Sequence, residues 1–245
     1  MNNILGLVVS YLYIGLVIIG AKIFEKKGKE ASRKFIHIML GNWWIIAMHF
    51  FTNVWFAVFV PATFVIINYL SYKKDLIKVM ERDEQDGLGT VYYAVALLVL
   101  AIVSFGIFKQ PALGLVPTLV MAYGDGLAAV IGKSIKSKKY KLGETKKSFA
   151  GSLTMFIIST LLIGAYLAFN LGTTFWFGTH WPVVAILAGF AITALEAVSG
   201  KGWDNITVPI ATLALLILLA WKIGDGPFFR EKKDRPQFSG RGIYE

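Results

Sequence analysis

The sequence contains no cysteine, which excludes disulfides and thiolate metal centres and leaves the redox compartment unreadable. Histidine is almost as scarce, three in 245 residues, and no pair stands at ligand spacing, so a zinc site lacks donors. Charge is thin as well: 16% of residues are charged against 56% hydrophobic, with a mean hydropathy of +0.62. Those values lie outside the soluble range and predict an all-α, polytopic integral membrane bundle. No polar stretch is long enough for a soluble domain, so residues 1–221 read as one membrane domain and 222–245 as a basic polar tail. Internal repeats and low-complexity tracts are absent too. The net charge of +10 is broken into short runs between apolar segments, which argues against nucleic acid as a partner. Met1-Asn2-Asn3-Ile4 has neither the basic start nor the small-residue cleavage site of a removable signal, so the first apolar run is expected to be a true span.

What is present is a set of eight uncharged runs, at 4–21, 35–51, 54–70, 91–108, 111–132, 149–172, 181–200 and 206–221. A helical span takes ~20 residues, which predicts about seven to eight transmembrane helices; the second run is marginal and the last is short and holds Pro209. Lysines and arginines orient the set. Loop 22–34 holds six, 71–89 four and 133–148 seven, whereas connections 52–53, 109–110 and 173–180 hold only Lys109. The bias places the basic loops in the cytoplasm and the N-terminus outside. The tail, with six basic residues, would then end outside after eight crossings, against the same rule; the sequence leaves that parity open.

Polar residues within the runs collect at the expected cytoplasmic ends. Asp125 lies seven residues before Gly132, about 10 Å deep in a helix. Glu196 stands about one turn inside the seventh run, and Asp204 and Asn205 follow it. An ionisable group at such depth costs ~2.5–3.5 kcal/mol, which makes it a functional candidate. Asp125 also has a bland reading, a polar helix contact beside the small residues Gly124, Ala128 and Gly132. The second acid at similar depth favours function, and carboxylates of this kind suit Mg²⁺ shared with substrate phosphates.

The loop from Lys133 to Ser148 carries Lys136, Lys138, Lys139 and Lys141, which read as headgroup anchors. Lys146-Lys147-Ser148 opens the next helix, where free N–H groups, a hydroxyl and two ammoniums make a phosphate site. Gly132-Lys133-Ser134 is not a P-loop, since the first glycine would fall at Leu127. Arg33-Lys34-x-x-His37 reads equally as an anchor or a phosphate contact. Asp83, Glu84 and Asp86 read as a solvated loop with some scope for metal contact. A Ser-His-Asp nucleophile is disfavoured, because His49 and His180 fall on the far side.

Tyr123-Gly-Asp125-Gly-Leu-Ala-Ala-Val-Ile-Gly132 with Lys146-Lys147-Ser148-Phe-Ala-Gly-Ser152 resembles the signature of the CTP-dependent polyprenol kinases. That family includes dolichol, phytol and farnesol kinases and fungal-type diacylglycerol kinases, with phosphatidate cytidylyltransferases as distant relatives. Arg33-Lys34-x-x-His37, Gly89-Thr-Val-Tyr92-Tyr93 and Glu196…Trp203-Asp204-Asn205…Pro209 follow in the family's order, over about residues 30–215. A second family glycine is replaced by Lys136, which bears on donor preference.

The resemblance implies an integral membrane enzyme that moves a phosphoryl group from a nucleoside triphosphate, CTP by expectation, to a lipid alcohol. The carboxylates point to Mg²⁺ as cofactor, and the basic loops to a cytoplasmic active site. Asp125 is expected at the metal or the acceptor hydroxyl, Glu196 at metal or base duty, and Asp204 beside them. Lys146, Lys147, Ser148 and Lys133, with Arg33, His37 and Asn205, are the expected nucleotide and phosphate contacts. Two alternatives stay open: a CDP-lipid-forming cytidylyltransferase, and a small ion-coupled transporter, against which the lack of repeats counts. Acceptor chain length and oligomeric state are not legible.

Overall fold

The computed structural model describes residues 2–26, 28–74, 88–142, 145–171, 174–175, 179–200 and 202–223. Asp83, Glu84 and Asp86, Glu144, and the tail beyond 223 lie outside the described residues.

Each of the eight apolar runs is helical. Helix α1 (Asn3–Glu25) begins where the Asn2 side chain accepts from the backbone N–H groups of Ile4 and Leu5. Asn3 ties this end to the connection after the second run, giving a hydrogen bond to Thr52 Oγ1 at 3.1 Å and taking one from Thr52 N at 2.9 Å. The second run forms two pieces, α2 (Lys29–Gly41) and α3 (Trp43–Phe50). Helix α2 thus starts among the basic residues, well before the apolar run, and buries Ser32, Lys34 and His37. Ser32 Oγ gives its proton to Ala21 O at 2.7 Å, which fixes α2 against α1.

Helices α4 (Val54–Lys74) and α5 (Gly89–Ala101) follow, the latter continuing into a π-helical turn at Ile102–Ile107. The fifth run is compound: a 3₁₀ turn Pro111–Gly114, α6 (Leu115–Leu119), a π segment Val120–Asp125 and α7 (Gly126–Ser134). Loop 133–148 is more ordered than the sequence implies. Lys139–Leu142 (β1) and Thr145–Ser148 (β2) pair antiparallel, Tyr140 opposite Lys147 and Lys141 opposite Lys146. Helices α8 (Phe149–Leu171), α9 (Trp181–Val198) and α10 (Asp204–Ile223) complete the bundle, with a second small pairing of β3 (Thr174–Phe175) and β4 (Thr179–His180).

Six helical stretches are long and apolar enough to cross a membrane, so the chain is a polytopic membrane bundle. The two runs outside that count are those marked marginal by sequence: α2–α3, broken at Asn42, and α10, which has a shorter apolar helix over Asp204–Ala220. Large apolar side chains such as Leu16, Ile23, Leu161, Phe169 and Phe190 lie on the outer surface, which suits lipid rather than water. Inside, Trp43 and Trp44 are buried, and their indole N–H groups give to Ser10 Oγ at 2.9 Å and Pro111 O at 2.8 Å.

Candidate active site

Close approach of backbones builds one half of the site. A Cβ on Gly41 would sit 2.3 Å from Ala122 Cβ, and one on Gly126 would sit 2.4 Å from Ile38 Cγ1. Helix α2 therefore lies directly on the π segment that ends at Asp125. Lys34 and His37, three residues apart and so on one face of α2, are delivered to that carboxylate. Lys34 Nζ donates to Asp125 Oδ2 at 2.7 Å, and both side chains are buried. His37 Nε2 lies 3.3 Å from the same oxygen and 3.1 Å from Met121 O. Both neighbours are acceptors, which assigns the ring proton to Nε2. Tyr93 Oη donates to His37 O at 3.1 Å and stiffens the turn.

The other half comes from the turn between α9 and α10. Trp203 N donates to Gly200 O at 2.9 Å, and the hydroxyls of Ser199 and Thr207 meet at 2.7 Å. Gly202 has φ +85, and a Cβ there would come 2.9 Å from Gly89 Cα. This contact seats the turn on the start of α5, where Asn205 Nδ2 donates to Gly89 O at 3.0 Å. Trp203 lies against Tyr92 with ring centres 5.0 Å apart. Glu196 and Asp204, on separate helices, are thereby brought together.

The result is a cluster in which Asp125, Glu196 and Asp204 each offer an oxygen, all within 4.8 Å of one another. Like charges so close and so poorly solvated need cations. Lys34 meets Asp125; Lys147 donates to Glu196 and lies 3.8 Å from Asp204 Oδ2. Burial alone would lower the Lys147 pKa, but Glu196 and then Asp204 hold it above the ordinary lysine value. Three carboxylates and two ammoniums leave the cluster one charge negative. Asn205 Oδ1, on the residue after Asp204, is buried with no hydrogen-bond partner among the described residues. Hard oxygen donors, an unmet acceptor and uncompensated negative charge fit a divalent cation such as Mg²⁺.

The remaining sequence candidates divide. Asp125, Glu196, Asp204, Lys147, His37 and Asn205 converge. Lys146 is exposed and, adjacent to Lys147 on a strand, points to the opposite face. Ser148 Oγ accepts from Gly151 N at 3.1 Å and so caps α8. Arg33 forms a bidentate pair with Glu30, at 3.0 and 2.8 Å, and exposed Lys133 reaches Glu30 at 3.3 Å. Burial would raise the Glu30 pKa, but the Arg33 hydrogen bond and the Arg33 and Lys133 charges bring it down to about 2. Glu30 thus gathers two cations at the edge of the site. Glu30 goes unmarked in the sequence, and Lys34 is read there only as part of Arg33-Lys34-x-x-His37, with no role beside Asp125. For Lys34 a signal existed, since a buried Asp125 demands a counter-ion and Lys34 stands one turn before His37.

Fold and site together define a polytopic membrane protein with a buried, lysine-paired carboxylate cluster at one end of its bundle. The chain belongs to the family of phytol and polyprenol kinases. It is 31% identical over 217 residues to the phytol kinase of Synechocystis sp., covering 85% of this chain and 87% of that protein. It is 30% identical to phytol kinase 1, chloroplastic, of Arabidopsis thaliana, covering 76% of this chain and 65% of that protein. The probable phytol kinase 1, chloroplastic, of Oryza sativa is also 30% identical, covering 78% of this chain and 65% of that protein. No family model matches the chain, and no solved structure does.

Proposed function

We propose that the protein is an isoprenoid-alcohol kinase, transferring the γ-phosphoryl group of a nucleoside triphosphate, CTP in the first instance, at the cytoplasmic face. The observation that carries this reading is the cluster of Asp125, Glu196 and Asp204 within 4.8 Å, flanked by Lys34 and Lys147. Phosphoryl transfer asks a protein mainly for alignment and for charge neutralisation. Asp125 and Glu196 would hold Mg²⁺, which when bound would neutralise phosphate oxygens. Lys147 stays charged and, at the edge of the carboxylate cluster, is placed to meet a phosphate oxygen; Lys34 balances Asp125 from the opposite side. Asp204, the more accessible of the three carboxylates at 16% side-chain exposure, is placed to take the proton of an attacking hydroxyl. Arg33 and Lys133, gathered on Glu30, would supply further positive charge for a triphosphate at the edge of the site, with Lys146 on the outer face of the hairpin and Ser148 at the start of α8 farther from it, and His37 and Asn205 would border the acceptor.

The runner-up, a cytidylyltransferase, shares the cation and the nucleotide but breaks a different bond. In a kinase the alcohol oxygen attacks the γ-phosphorus and CDP leaves; in the alternative a lipid phosphate attacks the α-phosphorus and pyrophosphate leaves. Purified protein given γ-labelled CTP and a panel of isoprenoid alcohols and diacylglycerol is expected to label the isoprenoid lipid, while α-labelled CTP leaves it unlabelled. Label arriving from the α position, with phosphatidate as acceptor, would overturn the kinase reading. The same panel with ATP decides the donor.

A further inference from the structure

Two lysines meet the carboxylates, in different settings. Lys34 Nζ sits 2.7 Å from Asp125 Oδ2 with His37 beside the same oxygen, enclosed between α2 and the π segment. Lys147 reaches in from β2: its ammonium donates to Glu196 Oε1 and lies 3.8 Å from Asp204 Oδ2, and its side chain is 19% exposed. The strand that carries it is pinned. Tyr140, opposite Lys147, joins its hydroxyl to Ser152 Oγ and lays its ring 5.2 Å from that of Phe149. Phe149 N donates to Lys138 O at 3.0 Å, and Ala150 N to Ser137 Oγ at 3.2 Å. With the backbone fixed on α8, the freedom that remains lies in the long, flexible stem of Lys147.

Charge decides where that ammonium can stay. With both lysines in place, the three carboxylates exceed the cations by one. A dication on Asp125 and Glu196 would turn that deficit into an excess positive charge, with an ammonium and a metal on one buried carboxylate. With Lys147 withdrawn and Lys34 kept, the same dication brings the cluster to neutrality, which a poorly solvated site favours. Lys34 is the wrong lysine to leave, because it is buried and its counter-ion is buried with it. Lys147 stands at the edge, on a hairpin whose other face carries the exposed Lys139, Lys141 and Lys146.

We propose that Lys147 is an exchangeable cation: it yields Glu196 to the divalent metal and passes to a phosphate oxygen of the nucleotide. Metal alone strands an ammonium, and nucleotide alone meets a lysine still held by carboxylates. Each is therefore bound more tightly when the other is present, by the same factor in both directions. The inference rests on the metal site of the kinase reading, but the exchange itself needs no phosphoryl transfer.

The test reads Lys147 directly. The full wild-type chain in a neutral detergent is reductively methylated, and peptide mapping follows Lys34, Lys146 and Lys147. Lys147 is expected to react slowly without metal, roughly tenfold faster with Mg²⁺ alone, and slowly again with Mg²⁺ and a non-hydrolysable CTP analogue. Exposed Lys146 is the internal reference, and Lys34 should stay protected throughout. A Lys147 rate unchanged or lowered by Mg²⁺ alone would overturn the exchange, as would a matching acceleration at Lys34, which would mean that the cluster opens as a whole. A Lys147 still fast with the analogue would overturn its passage to phosphate. Binding of Mn²⁺ alone, followed by electron paramagnetic resonance, gives a second reading. Lys147→Met removes the competing charge and is expected to bind Mn²⁺ roughly tenfold more tightly than wild type, against less than about twofold for Lys146→Met. Equal affinities in the two variants would overturn the proposal. Exchange seen in a protein that phosphorylates no alcohol would defeat the kinase reading and leave the exchange standing; an unmoved Lys147 in an active kinase would do the reverse.

Discussion

At Asp125 structure and chemistry are bound to the same atom. Its Oδ2 balances Lys34, whose side chain is only 7% exposed, so removing the carboxylate charge leaves a buried ammonium without a counter-ion. That loss costs ~3–5 kcal/mol where it has been measured for buried pairs. Asp125→Asn alone therefore mixes instability with lost catalysis. Adding Lys34→Met removes both charges, and the melting temperature in detergent is expected to return toward wild type while turnover stays down roughly 10²-fold or more. Recovery of turnover in the double variant would make Asp125 a structural residue. The three acids were legible in the sequence because a carboxylate in or beside an apolar run is expensive. The pairing of Lys34 with Asp125 was not legible, because among Lys29, Arg33 and other basic residues Lys34 reads as one more anchor. Lys146 and Lys147 look alike as letters; only the hairpin register, Tyr140 opposite Lys147 and Lys141 opposite Lys146, separates a cluster residue from an exposed one.

Elements explain how residues far apart in the chain are aligned. The π segment Val120–Asp125 and the β1–β2 hairpin were not legible, because neither leaves a period in the sequence: the first is hidden in an apolar run, the second in a run of lysines. Both depend on long-range contact, α2 on the π segment and the hairpin on the cluster through Lys147. The α9–α10 turn is different, since Gly202, just before Trp203-Asp204-Asn205, marks it locally. At φ +85, and with a Cβ 2.9 Å from Gly89 Cα, Gly202→Ala must shift the turn that carries Asp204. A displacement near 1 Å can cost ~10²-fold in rate, so turnover is expected to fall at least tenfold with a rise in the Mg²⁺ concentration for half-maximal rate. Gly28 supplies the control: its φ is +111 but nothing lies within 4 Å of an added Cβ. Gly28→Ala carries comparable backbone strain away from the cluster, and its kinetics should stay near wild type. Equal losses in the two variants would attribute the Gly202 effect to strain alone.

Across the whole molecule, one end of the bundle joins Asn3 to Thr52 and Trp44 to Pro111, while the other joins Lys34 to Asp125, Lys147 to Glu196 and Asn205 to Gly89. The positive-inside count had assigned these same residues to opposite faces, so the division into two ends was legible from charge alone. Chain parity was not, because α2–α3 and α10 are the weak apolar runs. Helix α10 starts at the cluster with Asp204 and packs against Pro111–Gly114 at the far end. Twenty residues at ~1.5 Å each match a bilayer core of ~30 Å, so Ile223 is expected to emerge opposite the site. The basic residues beyond it would then breach the positive-inside rule. The cysteine-free chain makes the matter testable with an impermeant thiol reagent. Lys136→Cys, beside the hairpin, is expected to react only in inside-out vesicles, and Lys109→Cys only in right-side-out ones. Lys232→Cys should follow Lys109. If it instead follows Lys136, α10 does not complete its crossing in the membrane; if Lys136 and Lys109 exchange behaviour, the cluster faces away from cytosolic nucleotide and the proposed donor side is wrong.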